Sequence, residues 1–409
     1  MIDPLRKVAV IGSGVMGAGI AAHCANAGCE VLLLDIVPEG SIDRNVVAKQ
    51  AIGRMPKSNP EMLMQKRNTK LITPGNIEDD LSKLKDYDWV IEVIIENLEI
   101  KRRLYQKLAE NIGPQTILSS NTSTLPRSKL VAEMPANVSS RFLITHFFNP
   151  PRYLPLLEVV SAPEVDPEIL KRFCSFADLN LGKRVTMCND SPGFIGNRLG
   201  IYFIQRAYKA TIDHGLSIEE TDAMLGRPIG LPKTAVFALM DLVGIDLIPH
   251  VTGSLLSHLP SDDPFHEIAG TGKETVTSMI EEGYTGRKGK GGFYRLNKES
   301  GKKIKEARNL ITGEYHTANR RAGFPSAKRG KIGLSAIMDC DDKGAQLVTD
   351  VLLDSLSYAA YIVPEVSEDI YAIDGAMKVG YNWKKGPFEM MDAIGPKSMI
   401  KRLQESNRE

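Results

Sequence analysis

Short apolar runs alternate with amphipathic stretches through the first 188 residues. Val8–Gly12, Glu30–Asp35, Trp89–Ile95, Thr116–Ser120, Arg141–Phe148 and Leu157–Val160 are almost continuously apolar and read as strands covered on both faces. Between them, Val15–Ala27 and Glu99–Asn111 carry helical periodicity, and a basic, methionine-containing stretch from Ile42 to Lys70 reads as helical too. Strands alternating with helices predict an α/β domain with a doubly wound, mostly parallel sheet.

After Asp190–Phe194 (DSPGF) the β-type runs largely stop. Ile195 to Leu256 is helical in pattern, and helical periodicity returns from Ala345. Arg295–Lys331 is basic, contains glycine, is weakly periodic, and reads as a linker or wrapping segment. The expected division is an α/β domain over 1–189, a first helical domain over 190–296, a linker over 297–335 and a second helical domain over 336–409. The two all-α domains look like copies. Phe237, Asp241 and Gly244 are spaced like Phe388, Asp392 and Gly395, and Asp222 and Asp374 sit upstream with one residue of slip. A duplicated helical unit buries its apolar face against its own copy.

Composition narrows the class. Hydrophobic residues at 43% and charged residues at 25% fit a globular chain, not a disordered one. The 51 basic and 50 acidic residues give no sign of a nucleic-acid partner. No apolar run reaches a membrane span, and the opening MIDPLRK leads almost directly into a strand, so no leader and a cytoplasmic location are expected. Cys24, Cys29, Cys174, Cys188 and Cys340 have neither CxxC nor metal-ligand spacing, and read as buried or half-buried thiols with no metal.

Four blocks carry candidate chemistry. Gly12-Ser13-Gly14-Val15-Met16-Gly17 lies between a strand and a helix, and Asp35 ends the next strand. In that context the glycines allow a tight turn, close approach of a pyrophosphate and close helix–strand packing. A carboxylate at Asp35 suits two ribose hydroxyls and repels a 2′-phosphate, so the Rossmann-type site favours NAD over NADP. Ser120-Asn121-Thr122-Ser123 follows a strand end, where ligands of parallel sheets bind; read alone it serves equally as a helix N-cap cluster. His146 also falls near a strand end, and Glu158 sits in apolar sequence where an unpaired carboxylate would be costly. An alcohol dehydrogenase wants a base titrating near neutrality, and a carboxylate on the other ring nitrogen would fix its tautomer. Asp190–Arg198 closes the first domain and opens a helix, placing Asn197 on its first turns, towards the cleft expected between domains.

Together these blocks resemble the 3-hydroxyacyl-CoA dehydrogenase family, through VAVIGSGVMGAGIAAHCANAG, VIIENLEIKRRL, ILSSNTSTLP, THFFNPPRYLPLLEVV, DSPGFIGNRL and GRKGKGGFY in the family's order. The resemblance implies a Rossmann domain followed by helical domains, and NAD-linked interconversion of 3-hydroxyacyl-CoA and 3-ketoacyl-CoA of the fatty-acid β-oxidation type. It implies that His146 is the base, Glu158 its orienting partner, and Ser123 and Asn197 the groups on the substrate 3-oxygen. Asn149, Glu96 and Lys101 would lie near the nicotinamide or its ribose, and Lys288 would approach the cofactor from the helical half. Lys49, Lys57, Lys66 and Lys70 are candidates for the CoA phosphates. The wording is closest to members that carry an enoyl-CoA hydratase, so a fused or partner hydratase is implied, with the chain itself a monomer or a homodimer. One departure is LPKTAVFALMD at 231–241, where many members read GPFELLD. Other readings are a dehydrogenase of another hydroxy acid, or a non-catalytic, crystallin-like NAD-binding protein. A sugar-nucleotide dehydrogenase would need lysine or cysteine where Asn197 and Arg198 stand.

Overall fold

The computed structural model describes residues 4–298, 302–406 and 408. The first three residues, on which the expectation of no leader partly rests, and 299–301 of the expected linker lie outside the described residues. The chain divides into two compact units, with the boundary between Phe194 and Ile195.

The first unit is built on eight strands in the order β3-β2-β1-β4-β5-β6-β7-β8. They are β1 (Lys7–Ile11), β2 (Glu30–Asp35), β3 (Ile72–Asn76), β4 (Trp89–Glu92), β5 (Ile117–Ser120), β6 (Phe142–Phe147), β7 (Leu156–Val160) and β8 (Arg184–Cys188). The first six run parallel, and β7 turns antiparallel to β6 with β8 alongside it. This is the doubly wound, mostly parallel sheet that the apolar runs require. Trp89 of β4 is fully buried, edge-on to Phe173 at 5.1 Å and Phe176 at 6.2 Å on the helix Pro167–Leu179. A buried side chain of this kind stabilises the fold by roughly 1.5–3 kcal/mol.

Two strands carry no apolar run and escaped the pattern. β3 reads ITPGN; as an edge strand it tolerates Pro74, which cannot donate to a ladder. β8 reads RVTMC, with Arg184 and Met187 exposed. The helical stretch expected from Ile42 to Lys70 is a shorter helix, Val46–Arg54, then two 3₁₀ turns at Met55–Lys57 and Lys66–Leu71. Pro56 and Pro60 lack the N–H groups that a continuous helix needs.

In the second unit, the helix Gly196–Asp213 packs on the helix Lys343–Tyr361. Tyr202 of the first stacks on Tyr358 of the second at 3.8 Å. The duplication extends to the hydrogen bonds. Asp222 accepts the N–H groups of Val236, Phe237 and Ala238 at 2.9–3.1 Å. Asp374 accepts those of Phe388 and Glu389 at 2.8 and 3.1 Å. In both copies a carboxylate thus satisfies the open N-terminus of the next helix.

The expectation of a wholly helical second half, with a linker over 297–335, is corrected. β9 (Tyr294–Asn297), β10 (Ile304–Arg308) and β11 (Tyr315–Thr317) form an antiparallel sheet. These strands carry no apolar run, and a charge pair crosses the ladder. Arg295 lies opposite Glu306, with Nε 2.6 Å from its carboxylate, and its guanidinium covers the Tyr315 ring at 3.9 Å. Asp241 accepts the N–H groups of Phe293 and Tyr294 at 2.7 and 2.8 Å, tying the sheet to the first helical copy. Among the described residues no single helix is long and apolar enough to cross a membrane.

Candidate active site

The parallel strands of the first unit end along one edge, and most candidate residues lie there. Beyond β1, Gly12 takes φ +101° and donates its N–H to the Leu34 carbonyl at 2.8 Å. A Cβ at Gly12 would strike the Val93 carbonyl, and one at Gly17 the carbonyl of Gly12. Gly14 faces open space, with nothing within 4 Å of where its Cβ would stand. It starts the helix Val15–Asn26 without a side-chain cap, so the first-turn N–H groups remain available to an anion. Val15 is exposed and Met16 half-buried. Asp35 ends β2 half-buried. Its Oδ2 accepts the Ser13 N–H at 2.6 Å and hydroxyl at 2.5 Å, and its Oδ1 the Ile36 N–H at 2.7 Å. Ser13 is the member of this turn that sequence reasoning passed over. A turn that leaves room at Gly14, with a fixed carboxylate at the next strand end, fits a dinucleotide.

A buried charge network stands behind β4 and β5. Glu92 closes β4 and is fully buried. It accepts from Lys101 Nζ at 2.6 Å, the Ile94 N–H at 2.7 Å, Tyr105 Oη at 2.6 Å and Ser120 Oγ at 2.7 Å. Lys101 also pairs with Glu96 at 3.2 Å. Glu96 accepts from the hydroxyls of Thr122 and Thr124 and from the Ser123 N–H. Burial pushes the Glu96 carboxyl up, but Lys101 and these hydroxyls outweigh it and hold it below the usual range. Glu96 therefore fastens the Ser120–Ser123 turn. Lys101 is 1% exposed and engaged by two carboxylates, which places it inside the unit. Glu92 was missed, although a carboxylate inside WVIEVII gives the signal that singled out Glu158.

His146 is the penultimate residue of β6 and Glu158 the middle of β7. The antiparallel register sets them opposite each other, so two residues twelve apart meet on one face of the sheet. His146 Nδ1 lies 2.8 Å from Glu158 Oε2; the histidine is 6% exposed and the glutamate 0%. With the carboxylate as acceptor, Nδ1 carries the proton and Nε2 keeps its lone pair. The imidazole is flanked by Phe148 at 4.7 Å and Phe194 at 5.8 Å. Phe194 is fully buried at φ +49°, a position in which a bulky residue is strained. Asn121 Oδ1 accepts the Phe147 N–H at 2.9 Å, joining the Ser120–Ser123 turn to the end of β6. Ser123 is half-buried and Asn149 exposed just beyond β6.

The second unit holds two candidates. Asn197 is half-buried on the first turn of the helix Gly196–Asp213, where the sequence set it. Lys288 is exposed and paired with Asp246 at 2.7 Å. Of the four lysines suggested for phosphates, Lys49 is paired with Asp43 at 2.8 Å, while Lys57, Lys66 and Lys70 are exposed.

The comparisons agree with this architecture. Residues 7–191 match the model of the 3-hydroxyacyl-CoA dehydrogenase NAD-binding domain, and 193–296 the model of that family's C-terminal domain. The chain belongs to the 3-hydroxyacyl-CoA dehydrogenase family, and its first unit is the family's NAD-binding domain. A Bacillus subtilis protein named a probable 3-hydroxyacyl-CoA dehydrogenase is 39% identical over 419 residues, covering 98% of this chain and 52% of its own length. A Deinococcus radiodurans protein of the same name is 40% identical, covering 81% of this chain and 94% of its own. A Rickettsia felis protein assigned as the trifunctional enzyme of a fatty acid oxidation complex is 41% identical over 96% of this chain. This chain spans about half the length of that relative and of the Bacillus one. Among solved structures, 3-hydroxybutyryl-CoA dehydrogenase from Escherichia coli superposes with a TM-score of 0.71 at 25% identity, over 99% of this chain and 95% of that one.

Proposed function

We propose that the chain catalyses the NAD-linked interconversion of a 3-hydroxyacyl-CoA and a 3-ketoacyl-CoA, as in fatty-acid β-oxidation, with His146 as base. The observation that carries this reading is the buried 2.8 Å contact between His146 Nδ1 and Glu158 at the carboxyl edge of the NAD-binding sheet.

In this reading the Gly12–Gly17 turn and the first-turn N–H groups hold the pyrophosphate, and Asp35 the adenine ribose. Bound NAD supplies the hydride acceptor. The substrate 3-oxygen is held by the Ser123 hydroxyl and by His146 Nε2, which removes the hydroxyl proton during oxidation and returns it during reduction. Glu158 keeps the proton on Nδ1 and stabilises the imidazolium that forms. Glu96, through Thr122 and the Ser123 N–H, holds the serine in place, and Lys101 acts on the site through Glu96. Roles for Asn197, Asn149 and Lys288 belong to the same proposal. The trifunctional name of the Rickettsia relative supports a hydratase on the same or a partner chain.

The test is consumption of NADH with acetoacetyl-CoA. Turnover by the wild type, with a loss of about 10²–10⁴ in His146→Gln, is the expected result. A wild type inert towards 3-ketoacyl thioesters, or a variant of undiminished kcat, overturns the reading.

A further inference from the structure

Lys183 precedes β8 and is 2% exposed. Its ammonium donates to the carbonyls of Pro151 and Leu154, the latter at 2.7 Å, and lies 5.3 Å from the centre of the Phe147 ring. Phe147 and His146 alternate on β6, so the cation stands on the face behind the imidazole and not beside the substrate. The titratable groups that interact with it are His23 and Cys24, both from the helix Val15–Asn26, and Arg152 of the turn acts on His23 as well. Among the described residues no carboxylate pairs with it. An unpaired buried ammonium is costly, and an apolar side chain would fill the same volume without that cost.

The turn it grips joins three parts of the unit. Pro151 packs against the dinucleotide helix at Gly19, where a Cβ would stand 3.0 Å from the proline ring. Arg152 reaches out to the carbonyls of Glu61 and Leu63 at 2.8 and 3.0 Å. The turn begins at Asn149, three residues beyond His146.

We propose that Lys183 is a positioning residue for the base: by gripping the carbonyls of Pro151 and Leu154, its ammonium fixes the Asn149–Leu154 turn and with it the end of β6 that carries His146. The inference rests on His146 being the base. The grip is charge-assisted, and such bonds are about twice as strong as neutral ones. Burial holds the lysine down to about 8, from an ordinary 10.5, so the grip weakens within an accessible pH range.

The experiment has two readouts. The first is hydrogen exchange of the 149–155 segment in the free protein. Lys183→Gln should exchange at least about tenfold faster than wild type, and wild-type protection should fall above pH 8 beyond the ordinary base-catalysed trend. The second is the pH profile of kcat for oxidation of 3-hydroxybutyryl-CoA by NAD, a direction in which titration of the base itself shapes only the acid side. Wild type should show an alkaline limb near pH 8. Lys183→Arg should move it up by more than one unit, and Lys183→Gln should abolish it with KM for NAD within about twofold. Exchange and profiles that coincide across wild type and variants overturn the proposal. Should neither variant fold, the wild type decides: a lysine side-chain NMR titration whose midpoint differs by more than one unit from the loss of protection refutes it. A wild type inactive on acetoacetyl-CoA sinks the assignment of His146 but leaves the exchange result standing. An active wild type with unchanged exchange and profiles sinks Lys183 alone.

Discussion

Replacing Glu158 by glutamine keeps shape and volume and removes one charge. The side chain is wholly enclosed and 2.8 Å from Nδ1, so the change falls on the contact with the imidazole. In the resting state a charge-assisted bond becomes a neutral one, a loss of about 1 kcal/mol. The larger loss comes as the imidazole takes up the proton. Unit charges about 4 Å apart attract by about 4 kcal/mol at an effective dielectric near 20, and glutamine offers none of that attraction. Some compensation by the amide dipole leaves a deficit of roughly 2–4 kcal/mol, a fall of about 30- to 1000-fold in kcat. KM should change little, because the carboxylate is behind the ring and not against the substrate. The assay is steady-state NADH consumption with acetoacetyl-CoA, alongside thermal unfolding of the same preparations. A variant with the wild-type Tm and a kcat within threefold of wild type would refute the claim that this carboxylate supports a charged imidazole.

Asp35→Ser should reduce the preference for NAD over NADP by about tenfold or more, because the repulsion of a 2′-phosphate is gone; an unchanged ratio of kcat/KM values removes Asp35 from the ribose site. Burial and the Lys183 ammonium hold His23 down to about 4, below its ordinary 6.5. The unfolded chain therefore takes up this proton first, and the contribution present above pH 6.5 is lost as pH falls to 4, by roughly 3 kcal/mol. Urea unfolding at both ends of that window should show the slope in wild type and a smaller one in His23→Gln; equal slopes contradict it. Glu92→Ala leaves Lys101 with half its ion pairing in a dry site, and should lower the unfolding free energy by about 3–5 kcal/mol. A loss below 1 kcal/mol would mean that water reaches the cavity.

What could be read from the chain follows from where each element lies. Strands buried on both faces, such as β1 and β4, announce themselves because nearly every residue must be apolar. β3, at the sheet edge with Pro74 and Gly75, and β10, with Lys305, Glu306 and Arg308, bury too little to leave that mark. His146 and Glu158 were legible as a pair because an enclosed carboxylate demands a partner. Their register was not, since it depends on β7 reversing direction after the Asn149–Leu154 turn. Glu92 obeys the same rule as Glu158 and was hidden by the strength of the apolar run around it. Ser13 and Lys183 act through backbone carbonyls and a neighbouring carboxylate, contacts that sequence spacing does not encode.

The doubled helical unit has a consequence for how this half of the molecule can change. Where two identical chains meet about a symmetry axis, every replacement arrives twice. Here the equivalent helices are encoded separately, so each half drifts on its own. Both keep the aspartate that closes the next helix, Asp222 and Asp374, while the segments that follow have diverged to LPKTAVFALMD and KKGPFEMMD. One copy is thereby free to tune what it touches while the other preserves the scaffold.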